Sequence, residues 1–139
     1  MPHKHAPSFD SVELIAASPS YLGEGARRSW AHIREIIAAA ANEGPDWPFD
    51  LRDPPAIVKT KATEPMVGKR YQERKANAQG DLRAALSVPD PGRVSGRTIL
   101  VVDDVFTDGL TLNEVARALH GAGAEAVYGV TLARQPFRG

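Results

Sequence analysis

The chain has 139 residues, of which 42% are hydrophobic, with 17 Lys and Arg residues balanced by 17 Asp and Glu residues and no cysteine. A chain of this length can bury a core without cross-links, and the lack of cysteine excludes disulfide scaffolds, zinc ribbons and thiol catalysis. A formal net charge of zero argues against general nucleic-acid or membrane-surface binding, because unspecific attraction to phosphates requires a basic excess.

The first ten residues are expected to form a flexible tail, followed by a single domain over residues 11–136. The tail contains the basic sequence His3-Lys4-His5 without a long apolar run after it. Neither a signal peptide nor a transmembrane segment is therefore predicted, and we expect a cytoplasmic protein.

Apolar runs that suit β-strands alternate with stretches of helical periodicity. This alternation predicts an α/β fold, with a twisted, mainly parallel sheet flanked by helices. The first strand is predicted at residues 12–17, and an amphipathic helix at residues 29–42. A proline-rich loop at residues 44–55 leads to a short second strand at residues 56–60.

The stretch at residues 61–77 carries five basic residues among polar ones. It is either a mobile basic loop or a helix with a solvated face, and residues 82–88 are either a third strand or an arm returning from that loop. The continuous apolar run at residues 98–102 is typical of a strand buried on both faces. A helix with Glu114 on its outward face and a last strand at residues 126–133 complete the predicted fold.

The most informative stretch is residues 101–114, which run from a strand through Asp103 and Asp104 and a glycine-containing loop into a helix. Parallel sheets bind ligands at the carboxyl ends of their strands, and a helix N-terminus offers N–H groups to an anion. The two acids suit sugar hydroxyls or a hydrated magnesium ion. The sequence from Thr111 to Glu114 also fits a capping box, which would give Thr111 a structural role compatible with ligand binding.

Residues 101–111 read Val-Val-Asp-Asp-Val-Phe-Thr-Asp-Gly-Leu-Thr and resemble the phosphoribosyl pyrophosphate signature of type I phosphoribosyltransferases. Residues 123–127 and 131–134 also resemble the ending of the ComF-type, amidophosphoribosyltransferase-like members. The resemblance implies an enzyme that binds 5-phosphoribosyl 1-pyrophosphate with Mg²⁺. The enzyme would transfer the phosphoribosyl group to a nitrogen nucleophile, releasing pyrophosphate; the acceptor is not identified by the sequence.

By this resemblance, Asp103 and Asp104 contact the ribose hydroxyls with Mg²⁺ nearby. The loop that cradles the 5′-phosphate consists of Thr107, Asp108, Gly109, Leu110 and Thr111. The Asp108 carboxylate would oppose phosphate binding, so we expect its side chain to point away and only its backbone N–H to face the ligand.

The resemblance assigns pyrophosphate binding to the turn after the first strand, formed by Ser18, Pro19, Ser20 and Tyr21. It also implies a flexible catalytic loop at about residues 59–80, in which Lys59, Arg70 and Arg74 are the candidate cations. The zinc ribbon and most of the acceptor-binding hood of ComF-type proteins have no counterpart in this sequence. Homodimers are frequent among the relatives.

Two functional hypotheses other than catalysis remain open. A phosphate loop without a hood also suits a non-catalytic regulatory module that binds phosphoribosyl pyrophosphate or a nucleotide, and a vestigial site would predict no ligand affinity.

The sequence Gly23-Glu24-Gly25 imitates the start of a dinucleotide fingerprint, but Arg28 replaces its third glycine.

Overall fold

The computed structural model describes residues 11–26, 32–63, 68–106 and 109–134. Its helices and strands are β1 (Leu14–Ala17), α1 (His32–Glu43), β2 (Val58–Lys59), α2 (Tyr71–Asn77), α3 (Arg83–Ala85), β3 (Leu86–Ser87), β4 (Thr98–Phe106), α4 (Leu110–Gly121) and β5 (Ala126–Arg134). The tail predicted at residues 1–10 and the start of the helix predicted at residues 29–31 lie outside the described residues. Within these ranges, no helix has the length and apolarity needed to cross a bilayer.

Three parallel strands form the main sheet in the order β1-β4-β5, and helices flank it. The predicted α/β class and the parallel sheet are therefore confirmed. The apolar run of β4 is buried, as expected for the central strand, and its alternate residues face opposite sides of the sheet. One side packs against α4 and the other against α1. The α4 side contains Ile99, Val101, Val115 and Leu119, and the α1 side contains Leu100, Val102, Ile33 and Ile37.

A separate two-stranded antiparallel sheet joins β2 to β3, with a helical arm between them. In this arm α2 has no buried residue, which matches the helical alternative for the basic stretch. A π-helical stretch, Ala78–Leu82, follows and leads into α3. Residues 82–88 were expected to form either a third strand or a returning arm, and only Leu86 and Ser87 of them form strand, as β3. Ala78 and Leu82 bury their side chains against Leu110 at the start of α4.

The outward orientation predicted for Glu114 is wrong. Its side chain is only 6% exposed and accepts two hydrogen bonds from the Arg83 guanidinium, at 2.9 Å from Nε and 2.6 Å from Nη2. The capping box is not formed either, because α4 begins at Leu110 after Gly109, which places Thr111 inside the first turn. Glu114 therefore connects α4 to the helical arm, and this carboxylate can remain buried because the Arg83 guanidinium pairs with it.

The proline-rich loop after α1 runs along the free edge of β1 and is fixed by a buried ion pair. The Ile15 N–H donates to the Pro48 carbonyl and the Asp50 N–H donates to the Ile15 carbonyl, each at 2.8 Å. The buried Asp50 carboxylate lies 2.5 Å from Arg93 Nη2 and accepts a 2.7 Å hydrogen bond from the Ala56 N–H. These contacts define the path of the chain from residue 48 to residue 56.

We predict that Asp50→Ala destabilises the fold by about 3 kcal/mol, because it leaves the mostly buried Arg93 guanidinium without its carboxylate and the Ala56 N–H without its acceptor. The free energy of unfolding measured in urea tests this. Asp46→Ala, which removes an exposed carboxylate of the same loop, is the matched control and should change stability by less than about 0.5 kcal/mol. Equal effects of the two substitutions would contradict the role assigned to Asp50.

Candidate functional site

The carboxyl ends of β1 and β4 lie side by side, which brings two predicted site segments together. Ala17 pairs with Val102, and the Ser18 N–H donates to the Val102 carbonyl at 2.8 Å. β4 continues beyond this point through Asp103 and Asp104. Ser18, at the start of the predicted pyrophosphate turn, is therefore adjacent to the acidic pair.

The acidic pair is held by hydrogen bonds at its first carboxylate. The Asp104 N–H donates to Asp103 Oδ1 at 2.8 Å, and the Ser18 side chain also hydrogen bonds to the Asp103 carboxyl. Burial raises the pKa of Asp103 from its ordinary value of 3.8 to about 6, and the Asp104 carboxyl beside it acts in the same direction. The hydrogen bonds from the Asp104 N–H and Ser18 lower this pKa but do not cancel the effect of burial.

His32 is a site residue that the sequence analysis missed. It is the first residue of α1, and its Nε2 lies 2.9 Å from Asp104 Oδ2. In the sequence, His32 falls within the amphipathic helix predicted at residues 29–42, where polar residues are expected on the solvent side. Its position in the first turn of the helix after β1 was the available signal, because in a parallel α/β unit that turn faces the carboxyl edge of the sheet.

A cleft of about 250 Å³ opens at the same edge and contains part of the predicted site. Its lining includes three residues of the turn, Ser18, Pro19 and Ser20, together with Lys59 of β2. The other lining residues are Ala17, Leu22, Arg34, Asp50, Asp53, Pro55, Ile57 and Val58. Lys59, one of the predicted loop cations, therefore lines the same cleft as the turn after β1.

Tyr21 has a structural role within this turn. Its hydroxyl donates to the Glu24 carbonyl at 2.6 Å, and a Cβ atom on Gly23 would lie 2.6 Å from that hydroxyl. Glycine is required at position 23 for this packing. Tyr21 is absent from the described residues that line the cleft.

Arg70 and Arg74 are also absent from that lining. Arg70 is exposed and immediately precedes α2, while the Arg74 guanidinium donates to the Lys69 carbonyl. Of the three predicted loop cations, the structure therefore brings Lys59 to the cleft, whereas Arg70 and Arg74 lie on or next to α2.

The predicted phosphate loop is described only in its second half, since Thr107 and Asp108, including the expected orientation of the Asp108 side chain, lie outside the described residues. Gly109 has a φ of 78°, a left-handed conformation that glycine adopts without strain. The first intrahelical bond runs from the Asn113 N–H to the Gly109 carbonyl, and Thr111 lies in this first turn. Because the Leu110 side chain is buried, only its backbone can face a ligand.

The two acids fit a magnesium ion that is held jointly with a substrate. Among the described residues there is no group of three or more His, Cys, Asp or Glu side chains that could hold a metal alone. Mg²⁺ binds commonly through one or two carboxylates, substrate phosphates and water, all of which are oxygen donors. A cation beside Asp103 would also offset the cost of ionising this buried carboxyl.

The sequence matches the family model of the phosphoribosyl transferase domain over residues 56–138, which is more than half of the chain. The chain belongs to this family. No curated protein matches it. The matched range includes the acidic pair and Lys59 but not Ser18 or His32. These two residues lie beside the acids because β1 and α1 pack next to β4.

The raised pKa of Asp103 predicts how stability depends on pH. Only well below its ordinary pKa of 3.8 is the carboxyl protonated in both states, whereas between about pH 4 and 6 the folded protein keeps a proton that the unfolded chain has already released. The free energy of unfolding of the wild type should therefore decrease as the pH rises from about 4 to 6, relative to a variant that cannot titrate at this position.

Asp103→Asn, which keeps an oxygen acceptor, should be more stable than wild type at pH 7.5, and the difference should shrink as the pH falls toward 4. Urea unfolding of both proteins from pH 4 to pH 8 measures this difference. A stability difference independent of pH would contradict the assigned shift.

Proposed function

We propose that this protein is a phosphoribosyltransferase that binds 5-phosphoribosyl 1-pyrophosphate with Mg²⁺ and transfers the phosphoribosyl group to a nitrogen nucleophile. Membership of the phosphoribosyl transferase domain family supports transfer of this group. The observation that carries the finer assignment is the adjacency of Ser18 to Asp103 at one edge of the sheet. The turn to which the resemblance assigns pyrophosphate binding therefore lies beside two carboxylates, an arrangement that matches a substrate with a pyrophosphate group next to ribose hydroxyls.

In this proposal Asp103 and Asp104 accept hydrogen bonds from the ribose hydroxyls. The 5′-phosphate binds at the first turn of α4, where Gly109 permits close backbone approach and the Thr111 hydroxyl can donate. The turn at residues 18–21 and Lys59 bind the pyrophosphate across the cleft. The roles of Thr107, Asp108, Arg70 and Arg74 stay predictions from the resemblance.

The reaction breaks the bond between the anomeric carbon and a pyrophosphate oxygen, and the bonding electrons leave with pyrophosphate. The nitrogen lone pair forms the new bond to carbon, and the nitrogen then loses a proton. Bound Mg²⁺ would supply positive charge to the leaving pyrophosphate. The protein's own contribution is positioning and electrostatic stabilisation, in which fixed carboxylates face the positive charge that develops on the ribose ring.

Several finer assignments belong to the same proposal. The endings at residues 123–127 and 131–134 support a ComF-type member, and the single domain is proposed to span residues 11–136. A cytoplasmic location and a homodimer remain parts of this proposal.

Phosphorus NMR of phosphoribosyl pyrophosphate with the protein and Mg²⁺ tests the function, first without an acceptor and then with ammonia and a panel of nucleobases. We expect pyrophosphate release that depends on one acceptor. Line broadening without release would instead identify the non-catalytic binding module, and unaffected spectra would contradict both functions.

The variant with both Asp103→Asn and Asp104→Asn should lose the ligand-dependent spectral changes while remaining folded, because both ribose-binding carboxylates become amides. Circular dichroism and urea unfolding provide the folding control. Unchanged affinity in this variant would remove the acids from the site.

Lys59 should contribute directly to pyrophosphate affinity. We expect Lys59→Ala to weaken binding of inorganic pyrophosphate with Mg²⁺ by roughly tenfold in isothermal titration calorimetry, since a charge-assisted contact is lost. Lys61→Ala removes an exposed charge two residues away and is the matched control, with an expected change below about twofold. Similar losses in both variants would indicate a general charge effect and contradict a contact from Lys59.

A further inference from the structure

The second acid of the pair is held by a residue that lies far from it in the sequence. Asp104 Oδ2 lies 2.9 Å from His32 Nε2, and the histidine side chain is only 21% exposed. A carboxylate accepts hydrogen bonds, so the Nε2–H of His32 is the donor in this contact. The Asp104 side chain is 37% exposed, so part of it is reachable from solvent.

This contact connects the start of α1 to the acidic pair at the end of β4. His32 begins α1, and α1 follows the turn after β1 that contributes Ser18 to the cleft. Packing of Ile33 and Ile37 against the sheet fixes this end of the helix, so His32 has a defined position relative to β4. Asp103 is correspondingly held by the Ser18 side chain. Each acid is thus held by a side chain from the β1–α1 region.

We infer that His32 is a positioning residue, whose Nε2–H holds the Asp104 carboxylate in the orientation that accepts a ribose hydroxyl of phosphoribosyl pyrophosphate. The inference rests on the proposed function, and it assigns a role to a residue outside the part of the chain that matches the family. A carboxylate whose orientation is already fixed loses little further freedom when a ligand binds, which favours affinity.

This role concerns the ribose and not the pyrophosphate. His32→Ala should therefore weaken binding of phosphoribosyl pyrophosphate with Mg²⁺ by roughly tenfold, while binding of inorganic pyrophosphate in the absence of Mg²⁺, which does not engage the acids, changes by less than about twofold. His32→Gln, whose amide N–H extends about as far as Nε2–H, should restore most of the lost affinity. His120→Ala removes an exposed histidine on α4 and is the control, with affinities equal to wild type.

Isothermal titration calorimetry of phosphoribosyl pyrophosphate with Mg²⁺, and of inorganic pyrophosphate without it, provides the test on wild type and the three variants. Urea unfolding of each variant is measured in parallel. Equal affinity of wild type and His32→Ala for phosphoribosyl pyrophosphate would overturn the inference. Equal losses for both compounds in His32→Ala and His32→Gln, with lower stability, would also overturn it, because a purely structural role predicts that result.

A second measurement tests the contact without any substrate. In side-chain ¹H–¹⁵N spectra of the ligand-free protein, Asp104→Ala should shift the ring signals of His32 and leave those of His120 unchanged. Unmoved His32 signals would overturn the inference whatever the protein binds. If the contact is observed but wild type binds neither compound, the proposed function fails and the positioning role fails with it.

Discussion

Ala17 of β1 lies opposite Val102 of β4, and the Ser18 N–H extends the same ladder to the Val102 carbonyl. This parallel register is the constraint on which the candidate site depends. In parallel pairing both strands end at the same edge of the sheet, so the turn after β1 must lie beside the acids of β4. A shift by one residue would turn Ile15 away from the α1 side and would therefore disrupt the core as well as the site.

The energetics of the acidic pair follow from this placement. Asp103 is partly buried beside a second carboxyl, and its raised pKa shows that its ionised form is disfavoured in the ligand-free protein. Such a group does not stabilise the fold at neutral pH. Perturbed carboxyls of this kind are concentrated at functional sites, where a cation or hydroxyl groups of a ligand can offset the cost of ionisation. The geometry and the electrostatics thus point to the same edge of the sheet.

Features governed by local sequence were the ones that could be predicted. The apolar run at residues 98–102 identified the central strand, and the glycine at position 109 fits a left-handed residue before a helix. The outward orientation predicted for Glu114 is wrong because helical periodicity contains no information about Arg83, which lies on another segment and pairs with this buried carboxylate.

The pairing of His32 with Asp104, like that of Arg83 with Glu114, depends on tertiary packing between distant segments. It arises because α1 packs on the sheet next to β4, a relationship between segments 72 residues apart that no local pattern contains. The family match begins at residue 56 and so could not indicate it. The cleft likewise combines three separate parts of the chain, namely the turn after β1, α1 and the loop that leads into β2.

The burial of Leu110 has a consequence for cooperativity. In the described part of the helical arm between β2 and β3, Ala78 and Leu82 form a small apolar cluster that is completed by Leu110 from outside the arm. The arm loses the burial of this cluster once α4 leaves it, and a small apolar cluster offsets little of the entropy cost of ordering the chain. The arm and the first turn of α4 therefore form one unit in local unfolding, and amide hydrogens in the two should exchange with solvent together.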